Sequence, residues 1–323
     1  MSIEPIREPF PLCPLHELFE RSAKSHPSSL ALRKREGQGW NAYTYEQFLN
    51  AVRKVAGFLR FSGLGKGDLI GILGDNCPEW IICFMAVQWI GGITVPLDTR
   101  SKEFEHSHII DHSGTKALFG NTRYLKGVEH EGSRPFFISM DDNDALPNFT
   151  GIVNKFDSYT EQGEVNIDET AVIFYTSGTT GNQKGVALSH RNIVSDINSI
   201  YQSVMFDERD RFLSVLPLSH AYENTAGNLL PLSVGASITY SQPLKPREML
   251  EDIRDTGPTI MLVVPLLLEK LLAGIRKNMD SVPLHIKGLL RLVRGSATIL
   301  NTCKQGLGSR LLYKNIRGKM GFG

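Results

Sequence analysis

Across 323 residues the chain carries 35 Lys and Arg against 34 Asp and Glu. A balance this even recommends neither nucleic acid nor an acidic membrane as a partner, and the length suits one large domain or two. Cys13, Cys77, Cys83 and Cys303 lack metal-ligand spacing; so few thiols suit a reducing compartment, hence a cytoplasmic setting. In chain order, the N-terminus with Glu4, Arg7 and Glu8 among prolines lacks the apolar core of a signal peptide. Leu15, Leu18, Phe19 and Ala23 mark an amphipathic helix ending before Pro27. A Thr44-x-x-Gln47 capping signature opens a second, with Phe48, Val52, Val55 and Leu59 on its apolar face. After the stop at Gly63 to Gly67, Leu69 to Leu73 reads as a buried strand, and Pro78 sits in the first turn of the next helix. The uncharged run Trp80 to Leu97 is broken by Gly91, Gly92 and Pro96. It therefore predicts a buried helix and a buried strand rather than a membrane span. A helix over 102–112 and a strand over 116–119 follow. Helices alternating with short apolar strands predict an α/β fold with parallel pairing.

Residues 121–168 are less regular. Asp141, Asp142 and Asp144 form an acidic cluster, best read as a solvated loop before Pro147 because no further ligand lies at useful spacing. The polar stretch from Gly151 to Asp168 reads as a linker, dividing the chain into subdomains 1–165 and 166–323. Ala171 to Phe174 predicts a strand, and Ile193, Ile197, Ile200, Tyr201 and Val204 fall on one face of a helix. Between them lies Tyr175-Thr-Ser-Gly-Thr-Thr-Gly-Asn-Gln-Lys-Gly185, expected as a loop joining strand to helix. Gly178, Gly181 and Gly185 allow close backbone approach to a ligand. Thr176, Ser177, Thr179 and Thr180 offer hydroxyls, and Lys184 adds a point charge. That is the chemistry of a phosphate cradle, although an ordinary surface loop has similar composition. The Walker A pattern fails here, since Gln183 and Gly185 flank the lysine. Further on, Arg211 to Leu216, Ala236 to Tyr240 and Pro258 to Pro265 read as strands. Asn228 to Gly235 and Glu248 to Thr256 read as helices, with further helical turns around Leu289, Leu292, Leu311, Leu312 and Ile316.

The order of residues in Tyr175 to Gly185 resembles the phosphate-binding loop of the acyl-adenylate-forming (AMP-binding) superfamily, departing only in Gln183 where Pro is usual. Asn76-Cys-Pro-Glu-Trp80 and Gly91-Gly-Ile-Thr-Val-Pro-Leu97 resemble two further landmarks of that family, both read here as structural. Leu216-Pro-Leu-Ser-His-Ala-Tyr-Glu223 resembles the second substrate segment of its long-chain fatty-acyl members, so His220 and Glu223 match residue by residue. The strand from Pro258 resembles another such segment, with Leu266 where Arg is usual. The resemblance implies the N-terminal portion of an acyl-CoA-synthetase-like large domain: mostly parallel sheets with helices on both faces, incomplete at the C-terminus and without the lid domain. It implies ATP-dependent activation of a long-chain fatty acid to acyl-AMP and then acyl-CoA. Thr176, Ser177, Gly178, Thr179, Thr180, Gly181 and Lys184 would hold the phosphates, Thr176 would face Mg2+, and His220 and Lys184 would assist the chemistry. CoA is the co-substrate in such a scheme, and a complementing C-terminal polypeptide is an expected partner. Peripheral membrane contact stays open. The alternative is a catalytically dead, nucleotide-binding remnant. In either case the isolated chain is expected to be weakly active or inactive, and prone to aggregate at an uncovered sheet edge.

Overall fold

The structure, a computed structural model, describes residues 7–128, 135–143, 145–177, 183–241, 246–269 and 273. Its helices are α1 (Leu15–Ser25), α2 (Tyr45–Phe61), α3 (Pro78–Trp89), α4 (Glu103–Ser113), α5 (Thr122–Leu125), α6 (Phe149–Lys155), α7 (His190–Ser203), α8 (Leu230–Val234) and α9 (Pro246–Thr256). The strands are β1 (Leu30–Glu36), β2 (Gly39–Thr44), β3 (Leu69–Leu73), β4 (Ile93–Leu97), β5 (Ala117–Gly120), β6 (Phe136–Ser139), β7 (Thr170–Ser177), β8 (Gln183–Ser189), β9 (Arg211–Ser214), β10 (Ser237–Tyr240) and β11 (Ile260–Met261). They form two sheets, in the orders β11-β9-β10-β1-β2 and β6-β5-β3-β4-β7-β8. Pairing is parallel except at the antiparallel hairpins β1–β2 and β7–β8. The α/β class and the mainly parallel sheets are as the sequence predicts.

The central helix α3 shows why. Every residue in it except Glu79 is buried, which is the state expected of a helix apolar on all sides. Trp80, Phe84 and Trp89 join Phe48, Val52 and Leu59 of α2 in the main core. Gln88, also buried, donates to Thr94 Oγ1 at 2.9 Å and to the Ala171 carbonyl at 3.1 Å. One side chain thus ties α3 to both β4 and β7. At the start of α2 the expected capping box is present: Gln47 N donates to Thr44 Oγ1 at 3.2 Å and Thr44 N to Gln47 Oε1 at 2.9 Å.

Several elements differ from expectation. The hairpin β1–β2 carries no clear period-2 signal, because three of the seven residues of β1 are Arg or Lys. Arg33 and Arg35 lie against Trp40, their guanidinium carbons 5.0 and 4.5 Å from its ring centroid. Each sheet consequently draws strands from both sides of residue 165, since β1 and β2 pair into the sheet of β9 to β11. The segment after the phosphate loop is a strand, β8, and the helix starts only at His190; Val204 is its C-cap and is exposed. In place of an α-helix from Asn228, a π-helical turn runs Glu223–Leu229 into α8. The strand expected from Pro258 contracts to Ile260–Met261, and the backbone is helical again by residue 265. Asp141 accepts from Asn121 Nδ2 at 2.6 Å and from Thr122 N at 2.8 Å, anchoring the start of α5. Asp144, Cys303 and the turns expected after residue 288 lie outside the described residues. Cys13, Cys77 and Cys83 are buried and form no disulfide among the described residues. Among the described residues no helix is long and apolar enough to cross a membrane.

Candidate active site

The phosphate-loop stretch is built on the β7–β8 hairpin. Its flanks pair residue for residue: Tyr175 with Gly185, Thr176 with Lys184 and Ser177 with Gln183. Thr176 and Lys184 therefore sit opposite each other where the hairpin opens, both exposed. Neither side chain has a hydrogen-bond or ion-pair partner among the described residues. Gly178, Thr179, Thr180 and Gly181, expected to contact phosphate, lie outside the described residues, and of Ser177 only the backbone is described. Gly185 is needed for packing: a Cβ there would come within 2.9 Å of Ile173 Cγ2 and 3.3 Å of Tyr175 Cζ. The Tyr175 hydroxyl meets His112 Nδ1 of α4 at 2.7 Å, and burial pushes its phenol upward. Gln183, the departure from the family pattern, reaches Glu105 Oε1 of α4 at 3.5 Å, a contact no proline could make. The two α4 contacts hold the hairpin on either side of the Thr176–Lys184 pair, Tyr175 toward its base and Gln183 toward its open end.

His220 lies at the end of the segment leaving β9, just before the π-helical turn. It is 53% exposed. Its backbone is fixed by Asn224 N, which donates to its carbonyl at 2.9 Å. Asn76 pins the approach to it, donating to the Leu216 carbonyl at 2.6 Å and accepting from Leu218 N at 3.2 Å. A residue read as structural thus shapes the candidate site without entering it. The ring itself is engaged from β4. His220 Nε2 stands 3.1 Å from Asp98 Oδ2 and 2.7 Å from Arg100 Nη2. Arg100 in turn binds Asp98 with Nε at 3.1 Å, Nη2 at 2.8 Å and its backbone N at 3.0 Å. Burial would raise the Asp98 acid, but the contacts from the Arg100 guanidinium and backbone N–H outweigh it and hold the acid well below the usual carboxylate range. Sequence reasoning missed Asp98 and Arg100, which follow directly on the Val-Pro-Leu landmark; their only signal was a charged pair just past a buried strand.

The two halves of the site meet through the second sheet. Thr94 of β4 pairs in parallel with Val172 of β7. Asp98 and Thr176 each lie four residues further on (98 − 94 and 176 − 172), so the register places them level. His220, in contact with Asp98, thus stands at the carboxyl end of β4, the same end of the sheet at which the phosphate-loop segment leaves β7. Ligands of open α/β sheets occupy this edge, outside the carboxyl ends of parallel strands.

Three residues on from His220, the π-helical turn buries an acid. Glu223 is 1% exposed, and neither of its carboxylate oxygens has a hydrogen-bond donor among the described residues. Burial pushes this acid up to about 7. Gly227, four residues on, presses against it: a Cβ there would stand 2.7 Å from Glu223 Cδ and 2.8 Å from each oxygen. Neighbouring Asn224 is fully buried and its Oδ1 has no partner among the described residues, while Asn228 Oδ1 accepts from the Tyr240 hydroxyl at 2.7 Å. A π-helical turn concentrates polar side chains in this way and is frequent at functional sites.

Residues 19–308 match the family described as AMP-binding enzyme. The chain belongs to that family. Its relatives include a long-chain-fatty-acid–CoA ligase of Mus musculus, 27% identical over 93% of this chain and 48% of that protein. A 2-succinylbenzoate–CoA ligase of Bacillus licheniformis is 31% identical over 83% of this chain and 53% of that protein. The chain spans about half the length of these two relatives. In fold, it is similar to a long-chain-fatty-acid-CoA ligase from Archaeoglobus fulgidus, with a TM-score of 0.75 at 20% identity over 85% of this chain and 56% of that one. It is also similar to the O-succinylbenzoate coenzyme A synthetase of Bacillus subtilis solved with AMP, with a TM-score of 0.66 at 23% identity over 83% of this chain and 65% of that one. Ligases named for two different acids, a long-chain fatty acid and succinylbenzoate, thus share this architecture.

Proposed function

We propose that this chain forms the phosphate- and acid-binding part of an AMP-forming fatty-acid–CoA ligase acting on long-chain acids. The observation that carries the proposal is the meeting of two elements at one sheet edge: the Thr176–Lys184 opening of the β7–β8 hairpin, and His220 held level with it through Asp98. In such a reaction a fatty carboxylate attacks the α-phosphorus of ATP, pyrophosphate leaves, and the CoA thiol then displaces AMP from the acyl adenylate. Lys184 holds the polyphosphate by charge, and the unengaged Thr176 hydroxyl adds an oxygen beside it. That pairing fits Mg·ATP, whose magnesium would neutralise phosphate charge. The loop residues Ser177, Gly178, Thr179, Thr180 and Gly181 complete the cradle in this reading. His220 donates a hydrogen bond to an oxygen of the reacting carboxylate or phosphate. Most of the rate enhancement in such a site comes from placing reactants and stabilising developing charge.

The long-chain assignment draws support from Leu216-Pro-Leu-Ser-His-Ala-Tyr-Glu223 and from the Mus musculus relative's substrate class. A non-hydrolysable palmitoyl-adenylate analogue should raise the melting temperature of the full chain, whereas succinylbenzoyl- and aminoacyl-adenylate analogues should not. Equal shifts from all three, or none from the palmitoyl analogue, would overturn the assignment.

A further inference from the structure

We propose that Asp98 and Arg100 are positioning residues that fix the His220 imidazole with its proton on Nδ1, leaving that N–H as the donor for an acyl or phosphoryl oxygen. The inference rests on the reading of His220 as bordering the acid site. It follows from the donor inventory around one atom. A guanidinium only donates, so the 2.7 Å contact from Arg100 Nη2 requires Nε2 to accept. A neutral imidazole with an accepting Nε2 carries its proton on Nδ1. Asp98 Oδ2, 3.1 Å from the same Nε2, would call for the opposite arrangement, an Nε2–H donating to the carboxylate.

The two arrangements exclude each other. The shorter contact favours Arg100, and Arg100 is itself held in place. Asp98 binds it through Nε, Nη2 and the backbone N–H. Asp98 thus orients the guanidinium, and the guanidinium orients the ring. An imidazolium could take this place only by displacing Arg100, because two N–H donors would then face each other. The carboxylate offsets the charge of the guanidinium, while the guanidinium enforces the tautomer. This division of labour resembles the use of a second hydrogen bond to set which imidazole nitrogen faces the chemistry. Asp98 and Arg100 lie at the end of β4 and His220 beyond β9, so the arrangement also joins the two sheets across the site.

Nitrogen-15 NMR of the full chain, labelled at histidine and with His220 assigned from the H220Q spectrum, reads the tautomer directly. The wild type near neutral pH should show Nδ1–H. R100Q and D98N should lose this form, and R100K, which restores one donor, should recover part of it. An Nε2–H ring in the wild type, or a tautomer indifferent to R100Q, would overturn the proposal. Because Arg100 is exposed, R100Q is expected to fold, and D98N serves as the second variant. The palmitoyl-adenylate analogue provides the other arm. R100Q should weaken its binding by about tenfold, as expected for one lost charge-assisted hydrogen bond, and H220A at least as much. If R100Q shifts the tautomer while H220A leaves affinity unchanged, His220 does not border the acid site, but the positioning of its ring stands.

Discussion

Replacing Glu223 with Gln should stabilise the protein, and by an amount that depends on pH. In the fold this carboxyl titrates at about 7 against an ordinary 4.5, chiefly through burial. The folded state therefore holds the proton more tightly than the unfolded chain. Stability from this group is full below pH 4.5 and is lost as the pH rises through about 7. At about 1.4 kcal/mol per decade, the loss is about 3 kcal/mol. The neutral Gln side chain is exempt from it. Urea unfolding of wild type and E223Q across this range cancels every other titrating group in the difference. The variant's advantage should grow by about 2 kcal/mol between about pH 5 and pH 7, then level off. A difference constant with pH would refute the reasoning, because it would mean that the carboxylate finds a compensating partner in the fold.

Other consequences follow from the same packing. Gly227→Ala should destabilise by about 1–3 kcal/mol, since its Cβ would displace the buried carboxylate, and most of that cost should vanish in an E223A background; a double-mutant cycle measures the coupling. His16 and His190, both buried and pushed down to about 4 by burial, stay neutral in the fold. Their contribution is present above pH 6.5 and lost as the pH falls through about 4. At about pH 5 each accounts for about 2 kcal/mol of lost stability. An H16Q/H190Q protein should show a shallower acid limb in thermal melts, and an unchanged limb would contradict this.

What could be read from the sequence was local. The capping box at Thr44 and Gln47 needs only three residues of spacing, and α3 announces itself by being apolar on every side. The order of residues from Tyr175 to Gly185 pointed to phosphate without any knowledge of the hairpin that carries it. The misreadings share a physical cause. In β1, Arg33, Lys34 and Arg35 hide a strand whose parallel partner, β10, lies some two hundred residues away in the chain and whose charges lie on Trp40 and Asp252. The β7–β8 hairpin reads from sequence as strand and loop, yet Gly185 is a strand residue packed against Ile173 and Tyr175. The π-helical turn carries no periodic signature of its own. Asp98 and Arg100 meet His220 only through the packing of one sheet against the other, across more than a hundred residues of chain, which no local pattern encodes.

Lys184 and Thr176 are expected to hold a polyphosphate at the mouth of the β7–β8 hairpin. Calorimetric titration of the full chain with Mg·ATP, beside the K184A variant, tests this most directly. Saturable heat in the wild type, with affinity reduced at least about tenfold by K184A, is the predicted result. Equal binding by both proteins, or none by the wild type, would contradict it.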